Sequence, residues 1–267
     1  MQDSIVIPLL LTLFAGLATV IGSLIAFLSS RTNRRLLSFS LGLSAGVMIF
    51  VSFVELYAEA QAVLMNSVGE KTGMWVTVAS FFCGILVIGI IDRLVPSYEN
   101  PHEARALEDM QASPSRDSKL MRMGVLTSLA IAIHNFPEGI ATFMAAVENP
   151  ALGVAIAIAI AIHNIPEGIA VSVPVYFATG DRRKAFWISF LSGIAEPVGA
   201  LIAYLFLMRF MSPFLLGCTF AMVAGIMVFI SLDELLPAAH EYGEHHVAIY
   251  GLIAGMGVMA VSLVLLL

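Results

Sequence analysis

Charge is scarce in this chain. Of its 267 residues only 12% are Asp, Glu, Lys or Arg, against 59% hydrophobic, a balance that ordinary soluble domains do not have. Apolar runs of twenty or more residues recur along the whole length, each long enough to cross a bilayer. That excludes a large soluble all-α protein with a few buried helices. Cysteine is scarcer still: Cys83 and Cys218 are the only two, and both fall inside apolar segments, which argues against a disulfide framework. The N-terminus, Met1-Gln2-Asp3-Ser4, lacks the basic residues of a signal peptide, and the apolar run 5–28 is too long for one. It is expected to be the first membrane span. The net charge of −6 is confined to loops and a few buried positions, and no nucleic-acid partner is expected.

What is present organises itself around one motif written twice. Residues 134–141 read His-Asn-Phe-Pro-Glu-Gly-Ile-Ala and residues 163–170 read His-Asn-Ile-Pro-Glu-Gly-Ile-Ala. Only Phe136 and Ile165 differ. Each copy sits about halfway along an apolar segment. On a helix, positions i and i+4 share a face, so His134 stacks with Glu138 and His163 with Glu167. Neutral imidazole and carboxylate are ligands for borderline divalent metals. Pro137 and Pro166 lack an N–H and are expected to break the helical ladder at Ile133 and Ile162, kinking both helices. Two such helices, each offering His and Glu, predict one metal site inside a membrane.

The expected fold is all-α and polytopic, a single transmembrane domain over 1–267. Its eight spans are predicted near 5–28, 36–63, 74–95, 123–147, 151–178, 185–208, 213–237 and 247–267. The polar stretch 97–122, with His102 as its one histidine, reads as a cytoplasmic loop between spans three and four. Eleven of the thirteen Lys and Arg follow odd-numbered spans; only Lys71 and Arg209 lie on the other side. The positive-inside rule then makes those loops cytoplasmic and both termini extracytoplasmic. The alternation of Ala and Ile from Ala155 to Ile162 is a strand signal in water, but an isolated strand cannot satisfy its backbone in lipid, so span five is predicted helical. Gly251 and Gly255 have the spacing of a packing face in span eight.

A second repeat links distant spans. Residues 44–56, SAGVMIFVSFVEL, match 223–235, VAGIMVFISLDEL, at seven of thirteen positions, among them Gly46 with Gly225, Met48 with Met227, Ser52 with Ser231 and Glu55 with Glu234. By the predicted topology the two segments run in opposite directions. The expectation is an inverted repeat relating spans 1–3 to spans 6–8 around spans 4–5, a recurring build for alternating-access transporters.

Other polar groups at membrane depth are Asn135 and Asn164, beside the histidines, and Glu196, which precedes Pro197 midway along span six. A charge at the bilayer centre costs about 2.5–3.5 kcal/mol, so Glu138, Glu167 and Glu196 together would cost roughly 8–10 kcal/mol if ionised and unpaired. A divalent cation offsets that. Glu196 either coordinates the ion or supports its ligands. Met48 reads first as packing. His240, His245 and His246 lie in the last cytoplasmic loop, a solvated segment that could also hand on metal.

The duplicated His-Asn-x-Pro-Glu-Gly motifs, eight spans and extracytoplasmic termini resemble the ZIP family of divalent metal transporters. The likeness is nearest to its bacterial zinc-uptake branch, helped by LSFSLGLSAGVM in span two and VAGIMVFISLDELLP in span seven. It covers essentially the whole chain. The resemblance implies metal import across the bacterial inner membrane, through a transport site able to hold two ions. That site would be His134, Asn135, Glu138, His163, Asn164, Glu167 and Glu196, with Met48 as an addition. It also allows a homodimer, as members of the family are similar in forming dimers. The metal would be cargo, with no cofactor. Because the motifs hold no cysteine, their nitrogen and oxygen donors suit Zn²⁺, Fe²⁺, Mn²⁺ or Co²⁺ better than Cu⁺. Family members often carry a histidine-rich loop between spans three and four, and this chain has only His102 there. The reading from a different class is an intramembrane metal-dependent hydrolase, but the motif lacks the Glu that HExxH places beside its first His as general base.

Overall fold

The computed structural model describes residues 3–28, 34–94, 116–210, 212–242 and 245–266. Their regular structure is helical throughout. In chain order these are α1 (Asp3–Leu28), α2 (Arg34–Val51), α3 (Ala58–Val68), α4 (Glu70–Leu94), α5 (Arg116–Glu148), α6 (Pro150–Thr179), α7 (Arg182–Gly193), α8 (Ala195–Ile202), α9 (Pro213–Ile230), α10 (Leu236–Tyr242) and α11 (His245–Leu266). π-helical turns join α2 to α3 (Ser52–Tyr57) and α9 to α10 (Ser231–Leu235), and another follows α8 (Ala203–Leu207).

Local chemistry sets the boundaries. Asn149 alone separates α5 from α6; its side chain accepts from the Ala151 and Leu152 amides, and Pro150 opens the next helix. Gly180, at φ +65°, ends α6, and Asp181 caps α7 by accepting from the Arg183 and Lys184 amides. Ser212 caps α9 ahead of Pro213 in the same way. Connections this short force antiparallel neighbours.

Among the described residues, seven helical stretches are long and apolar enough to cross a membrane: Ile5–Ile25, Ser38–Val68, Glu70–Arg93, Pro150–Ile169, Arg182–Phe210, Pro213–Leu235 and His246–Val264. The chain is a multi-pass membrane protein. These seven match seven of the eight predicted spans. The remaining one falls on α5, which at 33 residues is long enough, and whose side chains over 116–127 and at 130 and 134 lie outside the described residues. The helix also begins at Arg116, earlier than the expected 123, so the end of the predicted loop 97–122 is helical; residues 97–115, with His102, lie outside the described residues. Pro137 and Pro166 each lie inside one continuous helix, α5 and α6, rather than dividing it. Span six is interrupted near a proline outside the motifs: α7 ends at Gly193 and α8 starts at Ala195, because Pro197 has no N–H to offer the Gly193 carbonyl. Span five is helical despite its Ala-Ile alternation, and Cys83 and Cys218 are free thiols.

The helices pack in two groups. α1 lies on α6, α5 lies on α8, and α5 and α6 lie on each other. Around them α2 pairs with α11 and α4 with α9. The two segments that match in sequence also match in form: each ends in a π-helical turn opened by serine, Ser52 Oγ donating to the Met48 carbonyl at 2.6 Å and Ser231 Oγ to the Met227 carbonyl at 2.7 Å. Gly46 lies against the Leu252 carbonyl and Gly225 against that of Phe81, too close in both cases to admit a Cβ. Gly251 and Gly255 receive the Phe39 and Leu43 carbonyls of α2, as their spacing predicted.

The tightest crossings sit in the inner group. A Cβ on Gly168 would fall on the Thr19 carbonyl oxygen, and one on Gly139 on the Glu196 carbonyl oxygen. Nothing lies within 4 Å of the corresponding position on Gly257. Gly168→Ala and Gly139→Ala should therefore each lower stability by about 1–3 kcal/mol, since backbone must move. Gly257→Ala should raise it by roughly 0.5–1 kcal/mol through helix propensity. Thermal unfolding of the three detergent-purified variants checks this; equal behaviour of all three would contradict the packing.

Candidate metal centre

Because one residue joins α5 to α6, the two motif copies stand side by side at one depth. Glu138 and His163 lie on either side of Asn149 at similar helical distances, and they meet: His163 Nε2 is 3.4 Å from the Glu138 carboxylate oxygens. That is longer than a good hydrogen bond. The break between α7 and α8 brings Glu196 to the same region. Asn135, His163, Asn164, Glu167 and Glu196 are fully buried, and Glu138 is 1% exposed.

The asparagines tie the helices together. Asn164 Nδ2 donates to the Ala15 carbonyl of α1 at 2.9 Å and to the Glu196 carboxylate. Asn135 Nδ2 donates to the Ser192 carbonyl of α7 at 3.3 Å. Ser44 Oγ of α2 donates to the His163 carbonyl at 3.4 Å, joining the outer group to the inner one. With their amide hydrogens so used, both asparagines turn their acceptor ends elsewhere. Asn135 Oδ1, Asn164 Oδ1 and Glu196 Oε2 are buried and receive no hydrogen bond. Buried acceptors without donors are costly in an apolar interior, and what complements several of them at once is a cation.

Six of the seven predicted site residues thus have buried side chains on the three packed helices α5, α6 and α8. The seventh, His134, lies on α5, but its side chain is outside the described residues. Among the described residues no three His, Cys, Asp or Glu side chains form a ready-made ligand shell. Met48 is fully buried within the apolar core, in keeping with packing. Glu55 and Glu234 are half-buried in the two π-helical turns. His240 belongs to α10; the side chain of His245 is outside the described residues, and His246 is exposed with its ring stacked on Tyr250. Three contributors escaped the sequence reading. Gly139 and Gly168 follow the motif glutamates and let α8 and α1 reach the site, a role signalled by the repeated Glu-Gly pair. Thr19, whose carbonyl receives Gly168, carried no signal at all.

The model of the ZIP zinc transporter family matches residues 92–263. The chain belongs to that family. It is also 61% identical over 267 residues to the zinc transporter ZupT of Oceanobacillus iheyensis, covering 99% of this chain and all of that one. The ZupT protein of Lysinibacillus sphaericus is 61% identical with full coverage of both chains. That of Streptococcus mutans is 57% identical with 99% of each covered. The family is one of transporters, not enzymes, which disposes of the hydrolase reading.

Asn164 bonds to two partners and Asn135 to one, so their losses should differ. Asn164→Ala should destabilise the metal-free protein by roughly 1–3 kcal/mol, because it strands both the Ala15 carbonyl and the Glu196 carboxylate. Asn135→Ala should cost less. Melting temperatures of the two variants in detergent provide the measurement; the reverse order would contradict this hydrogen-bond arrangement.

Proposed function

We infer that this protein imports Zn²⁺ into the cytoplasm, and accepts Fe²⁺, Mn²⁺ and Co²⁺ through the same mid-membrane site. The observation that carries the reading is the buried set of acceptor oxygens without donors, from Asn135, Asn164 and Glu196, beside the Glu138–His163 pair. His134, Glu138, His163 and Glu167 bind the ion, and the asparagines with Glu196 complete a second position. Nitrogen and oxygen donors without thiolate suit these divalent metals. A dication also removes the cost of keeping three carboxylates out of water.

In this reading α5 is the eighth span. The termini are extracytoplasmic, the membrane is the bacterial inner membrane, and spans 1–3 and 6–8 form an inverted repeat. The matching serine-led π-helical turns and the exchanged pairings α2 with α11 and α4 with α9 support that symmetry. The site residues ride on helices that pack mainly with one another, and α2 against α6 is the main contact to the outer group. A site carried by one group and flanked by another suits alternating access.

Purified protein in liposomes should take up ⁶⁵Zn. Glu138→Ala and Glu167→Ala should each reduce uptake more than about tenfold, the effect of losing a ligand worth over 1.4 kcal/mol. Near-normal uptake in either variant at equal reconstitution would make the duplicated motif structural. For topology, a reporter fused after Leu267 should read as extracytoplasmic, and impermeant thiol reagents should miss a cysteine placed within 100–118. A cytoplasmic C-terminus would remove both the eight-span arrangement and the inverted repeat.

A further inference from the structure

The two groups of helices do not close on each other everywhere. On one side α2 lies against α6, and α9 touches α5. On the other, among the described residues, α4 has no extensive contact with α5, α7 or α8. The seam there is a groove of about 490 Å³. α4 contributes Ile88 and Ile91 to its lining, α9 Ile226, α5 Ala132 and Phe136, and the break in span six Ala195. The one position at which the two motif copies differ falls here. Phe136 lines the groove, whereas its counterpart Ile165 lies in α6, where its backbone packs against Gly22 of α1.

The lining decides what can occupy the groove. All of its side chains are apolar, so it offers no partners to water, which needs about two to four polar groups to stay in a cavity. Left empty, it would cost every lining side chain its dispersion contacts on one face. A span of a second copy does not fit either. A helix with its side chains is about 10–12 Å across and rises about 5.4 Å per turn, so 490 Å³ holds roughly one turn. The mouth of the groove lies on membrane-crossing stretches, and Val87, Leu191 and Val198 around it are exposed. Inside, Ile88 and Ile226 are only 5% and 6% exposed. The space is apolar, of the size of a small-molecule site, and open to the bilayer.

We propose that this groove binds one acyl chain of a membrane phospholipid, which fills the seam between α4 and the helices that carry the buried carboxylates. The chain packs on Phe136 and Ala195, the sequence neighbours of Asn135 and Glu196, and so backs the wall of the centre. It differs from the surrounding lipid in reaching side chains that the outer surface of the protein shields. The proposal does not depend on which ion the centre carries.

The test uses the full chain in liposomes containing a phospholipid with a diazirine midway along one acyl chain. After irradiation, adducts are located by peptide mass spectrometry. Phe82 and Leu86, exposed on α4, should be labelled by bulk lipid. Ile88 and Ile226 should also be labelled, because a chain inside the groove reaches them. Ala132→Phe and Ile91→Trp each fill the groove with side chain from opposite groups. Both should lose the adducts at Ile88 and Ile226 and keep those at Phe82 and Leu86. Labelling confined to Phe82 and Leu86 in the wild type overturns the proposal. So does labelling of Ile88 and Ile226 that persists in the folded variants. If one variant does not fold the other decides, and if neither folds the wild-type pattern decides. Failure of the metal-site reading has a different signature: it would show in ⁶⁵Zn uptake and leave this labelling unchanged.

Discussion

Three carboxylates buried at one depth are the condition that the rest of this structure answers to. Glu138, Glu167 and Glu196 are all out of contact with solvent. Their combined insertion cost of roughly 8–10 kcal/mol is comparable with the whole stability of a small domain. Part of that is met internally. Asn164 donates to Glu196, and His163 stands beside Glu138. These two interactions leave acceptor oxygens over, among them Asn135 Oδ1, Asn164 Oδ1 and Glu196 Oε2, an excess that positive charge would complement.

Placing polar groups there requires backbones to approach more closely than side chains normally permit. Glycine supplies this at every crossing of the inner group. Gly139 admits α8, Gly168 admits α1, and Gly16 and Gly193 admit each other. The motif is therefore two devices in one stretch: a His and a Glu at i and i+4, and a glycine notch immediately after the Glu. Within α5 and α6 the helix continues past the motif proline, whereas span six is divided next to Pro197, and α8 starts at Ala195, one residue before Glu196.

Much of this was readable from residue order because lipid leaves few alternatives. Once a segment is apolar over some twenty residues it must be a helix, and seven such stretches fall where the sequence puts them. The same rule rescued span five from its strand-like Ala-Ile alternation. The repeat of 44–56 in 223–235 was legible because serine and glutamate are rare in such surroundings, and both copies do turn π-helical at the serine. Where α5 begins was not legible, because charged residues 116–122 look like loop when propensity alone is weighed. Nor was Thr19. A threonine in an apolar helix is ordinary, and its contacts with Gly168 and Gly193 join residues about 150 or more positions apart.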